Sequence, residues 1–106
     1  MTQAQRSACP ISRTLDVFGD KWTLLILRDV LVFKKKTSAE SERSGEGIPT
    51  NLLADRLKRL VELGSLEKVA YQNRPVRYHY LPTEKGAAMR PVLRAIKNFG
   101  ETYFSD

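Results

Sequence analysis

Between Ile48 and Leu81 the chain carries arginines and lysines throughout, together with the amide side chains of Asn51, Gln72 and Asn73. Guanidinium and ammonium groups bind phosphates, and amide side chains can hydrogen-bond to base edges. The chain offers few groups for covalent catalysis, because it has one His, one Cys and no Gly-rich phosphate loop. These residues therefore indicate nucleic-acid binding, and an enzyme is not expected.

The overall charge suits the same class of partner. The chain has 106 residues, with 18 Lys and Arg against 12 Asp and Glu, which gives a formal net charge of +6 and a pI near 9.7. A basic protein suits a polyanionic partner without requiring one. The length predicts a single domain over residues 1–106 with a small core.

Secretion, membrane insertion and metal binding find no support in the sequence. One cysteine excludes an intrachain disulfide framework, and the N-terminus lacks the basic-then-apolar layout of a signal peptide. The longest apolar run, from Trp22 to Leu27, is too short to span a bilayer. His79 and one distant cysteine do not make a metal site, and no cofactor is expected. We therefore expect a cytoplasmic protein of bacterial type.

The elements that must position the basic groups begin with a short amphipathic helix. Residues 1–8 are polar, and we expect them to form a flexible N-terminus. Cys9-Pro10 suits a helix start, because proline in the first helical position loses no hydrogen bond. Apolar residues then recur at helical spacing, and Gly19 is expected to end the helix. This stripe consists of Ile11, Leu15 and Phe18.

A second helix is predicted from Lys21 to Phe33, with Asp20 as its N-cap. It is apolar on nearly every side, which is typical of a central core helix. The segment that follows, residues 34–47, has Ala39 as its only apolar residue. With so little to bury, we expect it to be mobile or to hold only a short helix over residues 38–44, capped at position 37 or 38.

The clearest helix is predicted from Pro49 to Leu63, and Gly64 is expected to stop it. One face is apolar and the opposite face is polar. The apolar face comprises Leu53, Leu57, Leu60 and Val61, and the polar face comprises Asn51, Asp55, Lys58, Arg59 and Glu62. Strand-forming runs follow at residues 66–71 and 77–81, joined by a polar loop over residues 72–76, which predicts a projecting hairpin.

A last helix is predicted after Thr83, which should cap it, and Pro91 is expected to kink it. Its apolar stripe cannot all reach the core, because the second helix already fills the centre of so small a domain. A second copy of the chain, related by a two-fold axis, could bury both this stripe and the apolar positions of the first helix, and we expect such a dimer. The predicted dimer interface comprises Ile11, Leu15, Leu93, Ile96, Phe99 and Tyr103.

Several motifs match a known family. They are Cys9-Pro10-Ile11, the run GDKWTLLILR from Gly19 to Arg28, the run GIPTNLLADRL from Gly47 to Leu57, Leu63-Gly64, and the run YLPTEKG from Tyr80 to Gly86. With these motifs the chain resembles the HxlR-type winged helix-turn-helix transcriptional regulators of bacteria, relatives of the MarR group. The resemblance extends over residues 8–100.

The resemblance implies an α+β fold that is mostly α, a winged helix-turn-helix with a two-stranded wing and terminal helices that form a homodimer. It also implies binding to pseudo-palindromic, double-stranded operator DNA, with helix 49–63 in the major groove and wing 66–81 on the minor groove or backbone. The residues then expected at the DNA are Thr50, Asn51, Asp55, Lys58 and Arg59 in the helix, Gln72, Asn73, Arg74 and Arg77 in the wing, and Lys35 and Lys36 in the polar segment.

The expected roles of the helix residues differ. Asn51 can bond adenine bidentately, while Asp55 either accepts from cytosine N4 or forms an ion pair with Lys58 or Arg59. Lys58 and Arg59 are expected to contact phosphates, whereas Arg56 lies nearer the buried face and should brace the fold. Arginines of the wing suit a narrow minor groove, although an exposed hairpin with solvated charges stays an alternative.

Cys9 allows a second function, a redox or electrophile switch. In several members of the family, a cysteine at this place is a thiol switch for oxidants or electrophiles, and a helix N-terminus can lower the pKa of a thiol. A small buried thiol is the structural alternative. With one cysteine, a switch needs the other subunit, a small thiol or an adduct. A small-molecule effector in a pocket beside the terminal helices, and a protein-interaction module without DNA binding, also stay open.

The chain departs from the family pattern in residues 34–47. The family has aromatic or large aliphatic residues there, which pin the first helix of the helix-turn-helix to the core. This chain has Ser38, Ser41 and Glu42 instead. The sequence therefore predicts that this helix is shortened or mobile, so that the recognition helix is held less rigidly.

Overall fold

A computed structural model describes residues 8–34, 37, 39, 40 and 46–104. The helices in these ranges are α1 (Pro10–Phe18), α2 (Lys21–Leu31), α3 (Thr50–Glu62), α4 (Glu84–Ala87) and α5 (Arg90–Tyr103), and the strands are β1 (Leu66–Asn73) and β2 (Val76–Pro82). The two strands form an antiparallel sheet. The predicted fold class, mostly helical with a two-stranded wing, is confirmed.

The hydrophobic core lies where α2 and α3 pack on the start of β1. Its buried members recur at helical spacing, which places them on one face of each helix. They are Ile26, Leu27, Val30 and Leu31 of α2, Leu53, Leu57 and Leu60 of α3, and Leu66 of β1. Full burial of one such side chain contributes about 1.5–3 kcal/mol. The predicted central helix and leucine face are both confirmed.

The junction between α1 and α2 follows the predicted residues. Asp20 caps α2, because its Oδ2 atom accepts hydrogen bonds from the backbone N–H groups of Trp22 and Thr23, both at 3.1 Å. α1 ends at Phe18, and Gly19 keeps a right-handed backbone with a φ of −79°. Glycine is needed there for space, since a Cβ atom would collide with the Leu15 carbonyl oxygen.

α2 ends at Leu31, two residues before the predicted end at Phe33. Val32 and Phe33 are exposed, and Lys34 has a φ of 59°, so the helix cannot continue through it. The Phe33 ring lies 5.1 Å from the Arg28 guanidinium and not in the core. The apolar run was long enough for a longer helix, but its burial ends at Leu31.

The hairpin is tighter than the sequence predicted. The strands continue through Gln72 and Asn73, and Asn73 pairs with Val76, so the expected five-residue loop is a two-residue turn, Arg74-Pro75, with a cis peptide bond. The prediction of a loop over residues 72–76 is therefore wrong. Polar residues with weak strand preference were extended because backbone pairing with the opposite strand outweighs local propensity.

The predicted last helix is broken into two. Thr83 is a cap as predicted, and its Oγ1 accepts from the Gly86 N–H at 3.0 Å, but it caps only the single turn of α4. The chain turns at residues 88–89, and α5 starts with Pro91 in its first turn. The predicted kink is wrong, because proline is used where its missing N–H costs nothing.

Only part of the polar segment 34–47 falls within the described ranges. The Thr37 N–H donates to Glu40 Oε1 at 3.0 Å, and the Glu40 N–H donates to Thr37 Oγ1 at 3.1 Å. This reciprocal pair is a capping box, with Thr37 as the cap. Lys35, Lys36, Ser38 and residues 41–45, and hence most of the predicted helix 38–44, lie outside the described residues, as do residues 1–7.

Candidate nucleic-acid interface

The recognition-helix candidate α3 has a buried face and an exposed face. Its leucines hold the inner face in the core, as described above. Thr50, Asn51, Asp55 and Lys58 are exposed on the outer face. The structure therefore brings four of the five predicted helix residues to one surface that a nucleic acid could approach.

Arg56 turns away from that surface toward the junction of α1 and α2. Its Nε donates to Asp20 Oδ2 at 3.1 Å, and its Nη1 donates to Asp55 Oδ2. The side chain is only 21% exposed. This is the bracing contact predicted for Arg56. The ion-pair alternative for Asp55 named the wrong partner, since Asp55 pairs with Arg56 and not with Lys58 or Arg59.

Arg59 also reaches toward α1. Its guanidinium donates to the Asp16 carbonyl oxygen at 2.9 Å, in the last turn of α1, and lies 3.7 Å from Asp20 Oδ1. The sequence predicted a phosphate contact for Arg59, but the structure places its charged group on contacts within the chain. Lys58, by contrast, is exposed beside it.

The Asp20 carboxylate is the centre of this arrangement. Burial acts to raise its pKa, but hydrogen bonds from the Thr23 hydroxyl, from Arg56 and from the N–H groups of Trp22 and Thr23 outweigh burial and lower the pKa from 3.8 to about 2. The hydrogen bond to Asp20 in turn raises the pKa of Arg56. Both groups are therefore charged at neutral pH. We call Asp20, Arg56 and Arg59 the orientation hub.

A second tether holds the chain that leads into α3. Arg28 donates to Asp29 Oδ1 at 2.9 Å and to Glu46 Oε2 at 3.0 Å. Burial acts to lower the Arg28 pKa, but its hydrogen bonds to the two carboxylates raise it. Glu46 stands just before Gly47, which has a φ of 75° and allows the turn toward α3. The end of α2 is thus tied to the approach to α3.

The wing carries its charges differently. Asn73, Arg74 and Arg77 are exposed at its tip, and the ion pairs that the described residues form all lie outside the hairpin. The Gln72 amide donates to the Pro75 carbonyl at 3.1 Å, which braces the turn. Three of the four predicted wing residues therefore stand at the tip with exposed side chains.

The sequence analysis missed the roles of two charged residues in this candidate site. Lys68 is exposed on β1, with its Nζ atom 4.2 Å from the Tyr78 ring centroid, so the wing has a further cation. The role of Asp20 beyond capping was also missed. The available signal was the three-residue spacing of Arg56 and Arg59, which puts both on one side of the helix beside the leucine face.

The predicted dimer residues lie on the two outermost helices. Every residue of α1 and α5 is at least partly exposed. Ile11 is 71% exposed and Phe99 is 58% exposed, while Leu93 packs partly buried against the core. The other three predicted residues, Leu15, Ile96 and Tyr103, are exposed. Cys9 is exposed directly before α1.

A groove lies between α2 and α5, beside the terminal helices, where an effector pocket was one of the alternatives left open by the sequence. Its volume is about 750 Å³, and its lining includes Leu31, Phe33, Leu93, Arg90 and Arg94.

In the described part of the chain, no helix is long and apolar enough to cross a membrane, and no three His, Cys, Asp or Glu residues cluster as a metal site would require.

The sequence model of the HxlR-like helix-turn-helix matches residues 17–106. The chain belongs to the HxlR-like helix-turn-helix family. The uncharacterized HTH-type transcriptional regulator MT3179 of Mycobacterium tuberculosis is 36% identical over 93 residues, which make up 88% of this chain and 58% of that protein. This HxlR-like chain thus spans little more than half the length of its mycobacterial relative.

Solved structures agree with the family and with the winged-helix fold. A regulator assigned to the MarR family from Porphyromonas gingivalis W83 is 28% identical, with a TM-score of 0.82 over 97% of this chain and 100% of that chain. The redox regulator HypR in its oxidised form is 28% identical, with a TM-score of 0.81 over 92% of this chain and 100% of that one. The resemblance drawn from the sequence motifs is confirmed.

Proposed function

We propose that this HxlR-like protein is a homodimeric, sequence-specific DNA-binding regulator of transcription in the cytoplasm. In this proposal α3 enters the major groove of a pseudo-palindromic operator, and the wing reaches the minor groove or the backbone. The observation that carries the proposal is the division of α3 into two faces. Arg56 and Arg59 hold the helix from within, while Thr50, Asn51 and Lys58 stand on its exposed face.

Base reading falls to the N-terminal part of α3, where recognition helices meet base edges. Asn51 can donate to and accept from adenine at once, and Thr50 stands beside it. Asp55 keeps much of its carboxylate exposed despite its bond to Arg56, so it can still accept from cytosine N4. Lys58 contacts a phosphate in this proposal.

The wing supplies the second part of the contact. Arg74 and Arg77 are exposed, and a guanidinium in a narrow minor groove gains from the enhanced negative potential there. Asn73 and Gln72 complete the tip, with Gln72 holding the turn. Lys35 and Lys36 are kept as additional phosphate contacts on sequence grounds.

Dimerisation is supported by the exposed apolar side chains of α1 and α5. Phe99 and Tyr103 lie 4.9 Å apart by ring centroid, and both point to solvent in the single chain. Large apolar patches on small proteins mark interfaces. Sedimentation is expected to give about twice the 12.1 kDa of one chain. A 12.1 kDa species at micromolar concentration would contradict the dimer.

The decisive experiment is selection of bound duplexes from a random DNA pool. The proposal predicts an enriched palindrome with half-sites about one helical turn apart, ~34 Å. Affinity for it should fall steeply with salt, because several phosphates are neutralised. A pool without enrichment, together with a shallow salt dependence, would favour a protein-interaction module instead.

A redox or electrophile switch at Cys9 is the second candidate. The exposed thiol at the start of α1 and the likeness to HypR, a redox regulator by name, favour it. Operator affinity would be measured before and after mild oxidation, with Cys9→Ser as the control. The switch predicts a change that the serine variant lacks, and an equal response of both proteins would contradict it.

A further inference from the structure

The orientation hub does not lie on the exposed face of α3, yet it determines how that face is held. We propose that Asp20 is a positioning residue for DNA recognition. Through Arg56 and Arg59 it sets the orientation of α3 against α1 and α2, so that Arg59 supports operator binding by orienting the helix and not by contacting phosphate. This inference rests on the proposed DNA-binding function.

One carboxylate serves two helices. Its Oδ2 atom accepts from the first turn of α2, through Trp22 and Thr23, and from Arg56 Nε in the middle of α3, with all three distances at 3.1 Å. The Oδ1 atom is bonded by the Thr23 hydroxyl and lies 3.7 Å from Arg59. A rotation of α3 would therefore break its bond to the same carboxylate that caps α2.

Arg59 extends this arrangement to α1. Its hydrogen bond to the Asp16 carbonyl, at 2.9 Å, reaches the last turn of α1 from the third turn of α3. The proposed dimer residues Ile11 and Leu15 lie on that same short helix. The placement of α1 in the dimer and the direction of α3 are thus mechanically joined, which relates the dimer interface to the separation of the two recognition helices.

Leucine packing alone does not fix this direction. Apolar contacts between Leu53, Leu57, Leu60 and the core are roughly proportional to buried area and are not directional. Hydrogen bonds from planar guanidinium groups to a carboxylate depend on distance and angle. Base-edge contacts tolerate little misplacement, so the hub supplies an angular constraint that the core lacks.

The sign of the effect of Asp20→Asn separates positioning from simple charge. The substitution raises the net charge from +6 to +7, so electrostatics alone predicts equal or tighter binding to any duplex. Asparagine is as good an N-cap as aspartate, so α2 keeps its cap. Positioning predicts the opposite for the selected operator, a loss of about tenfold, as for residues coupled in one salt-bridge network.

Arg59→Gln and Lys58→Gln form a matched pair, because each removes one positive charge from neighbouring positions of α3. Lys58→Gln should weaken binding to the operator and to a scrambled duplex by the same factor, and lower the salt slope by about 0.9. Arg59→Gln should leave the salt slope unchanged and lower the ratio of operator to scrambled-duplex affinity by about tenfold. A loss of stability alone would not change that ratio.

Arg59→Gln behaving like Lys58→Gln would overturn the inference, as would Asp20→Asn binding the operator as tightly as the wild type. Wild-type protein that shows no salt-dependent binding to any duplex would instead refute the proposed function. Amide hydrogen exchange of α3 without DNA tests the hub separately. Asp20→Asn should speed exchange in α3 more than in α2, and unchanged exchange in α3 would contradict the hub by itself.

Discussion

The proposed recognition helix α3 and the wing hairpin carry arginines in two different ways. In α3, Arg56 and Arg59 are bonded within the chain, to Asp20 and to the Asp16 carbonyl. In the wing, Arg74 and Arg77 are exposed. The helix is held by a buried leucine face, whereas beyond Leu66 the strands pair with each other and only Tyr80 of β2 packs, partly buried, against the core. Arginine count alone therefore does not measure a DNA-binding surface.

Other basic side chains confirm this lesson, because they stabilise helix ends. Lys85 Nζ donates to the Leu63 carbonyl oxygen after α3 at 2.8 Å, and Arg90 donates to the Leu31 carbonyl oxygen at the end of α2 at 2.9 Å. Arg59 does the same for α1. Cations at helix C-termini satisfy unpaired carbonyls and suit the helix dipole. Part of the +6 charge thus serves the fold.

The largest expected effect tests whether α3 is anchored and the wing is not. Leu57→Ala should lower the free energy of unfolding by about 3 kcal/mol, because the leucine is buried in the core and leaves a cavity. Val69→Ala, on the exposed part of β1, should cost about 0.5 kcal/mol or less. Urea denaturation measures both. Similar losses in the two variants would remove the contrast between the regions.

The second prediction concerns what each region does at DNA. Asn51→Ala should lose about 2 kcal/mol of discrimination at a single operator base pair, because a bidentate contact is removed. Arg74→Ala should weaken binding to all duplexes and lower the salt slope by about 0.9. Affinities for single-base operator variants at several salt concentrations measure both. A sequence-selective loss in Arg74→Ala would show that the wing reads a narrow minor groove and does not contact the backbone alone.

The third prediction concerns the acid stability that the hub gives to α3. The Asp20 pKa, about 2, lies below the ordinary 3.8, so the charged carboxylate stabilises the fold at neutral pH. That stabilisation is lost as the pH falls from about 4 to about 2, by about 1 kcal/mol after solvent screening. Urea denaturation across this range is the measurement. Asp20→Asn should lose less stability than the wild type, and parallel curves would contradict the prediction.

The smallest effect is expected in the wing. Lys68→Ala removes the contact of the ammonium with the Tyr78 ring, 4.2 Å from its centroid. Such exposed cation–π pairs contribute about 0.5 kcal/mol. Thermal unfolding of Lys68→Ala and of Lys68→Arg should show a small loss in the first and retention in the second. A loss as large as that of Leu57→Ala would mean that the wing is anchored after all.

Much of the fold could be predicted from local patterns. The leucine spacing located α3, Gly64 ended it with a φ of 80°, and Asp20 and Thr83 are caps in the structure. The errors are at element ends. The strands extend to Arg74-Pro75 and α2 stops at Leu31, because strand pairing and the direction of the core decide such boundaries. Local sequence holds little information on either.

The candidate site divides in the same way. Periodicity assigned Asn51, Lys58 and Arg59 to one polar face, and Asn51 and Lys58 do stand exposed there. Arg59 does not stand exposed on that face, because its guanidinium donates to a carbonyl oxygen of another helix, α1. Helical spacing gives the direction of a Cα–Cβ bond, but a long side chain can reach partners far from that direction.

By itself the sequence determined which segments are helix and hairpin, which faces are apolar, and the family, since these depend on neighbours within a few residues. Only the tertiary structure decided the partners of the charged side chains. Arg56 and Asp20 are 36 residues apart in the chain, and Arg59 and Asp16 are 43 apart. Such contacts exist only after α1, α2 and α3 have packed, because core packing brings the arginines of α3 to the junction between α1 and α2.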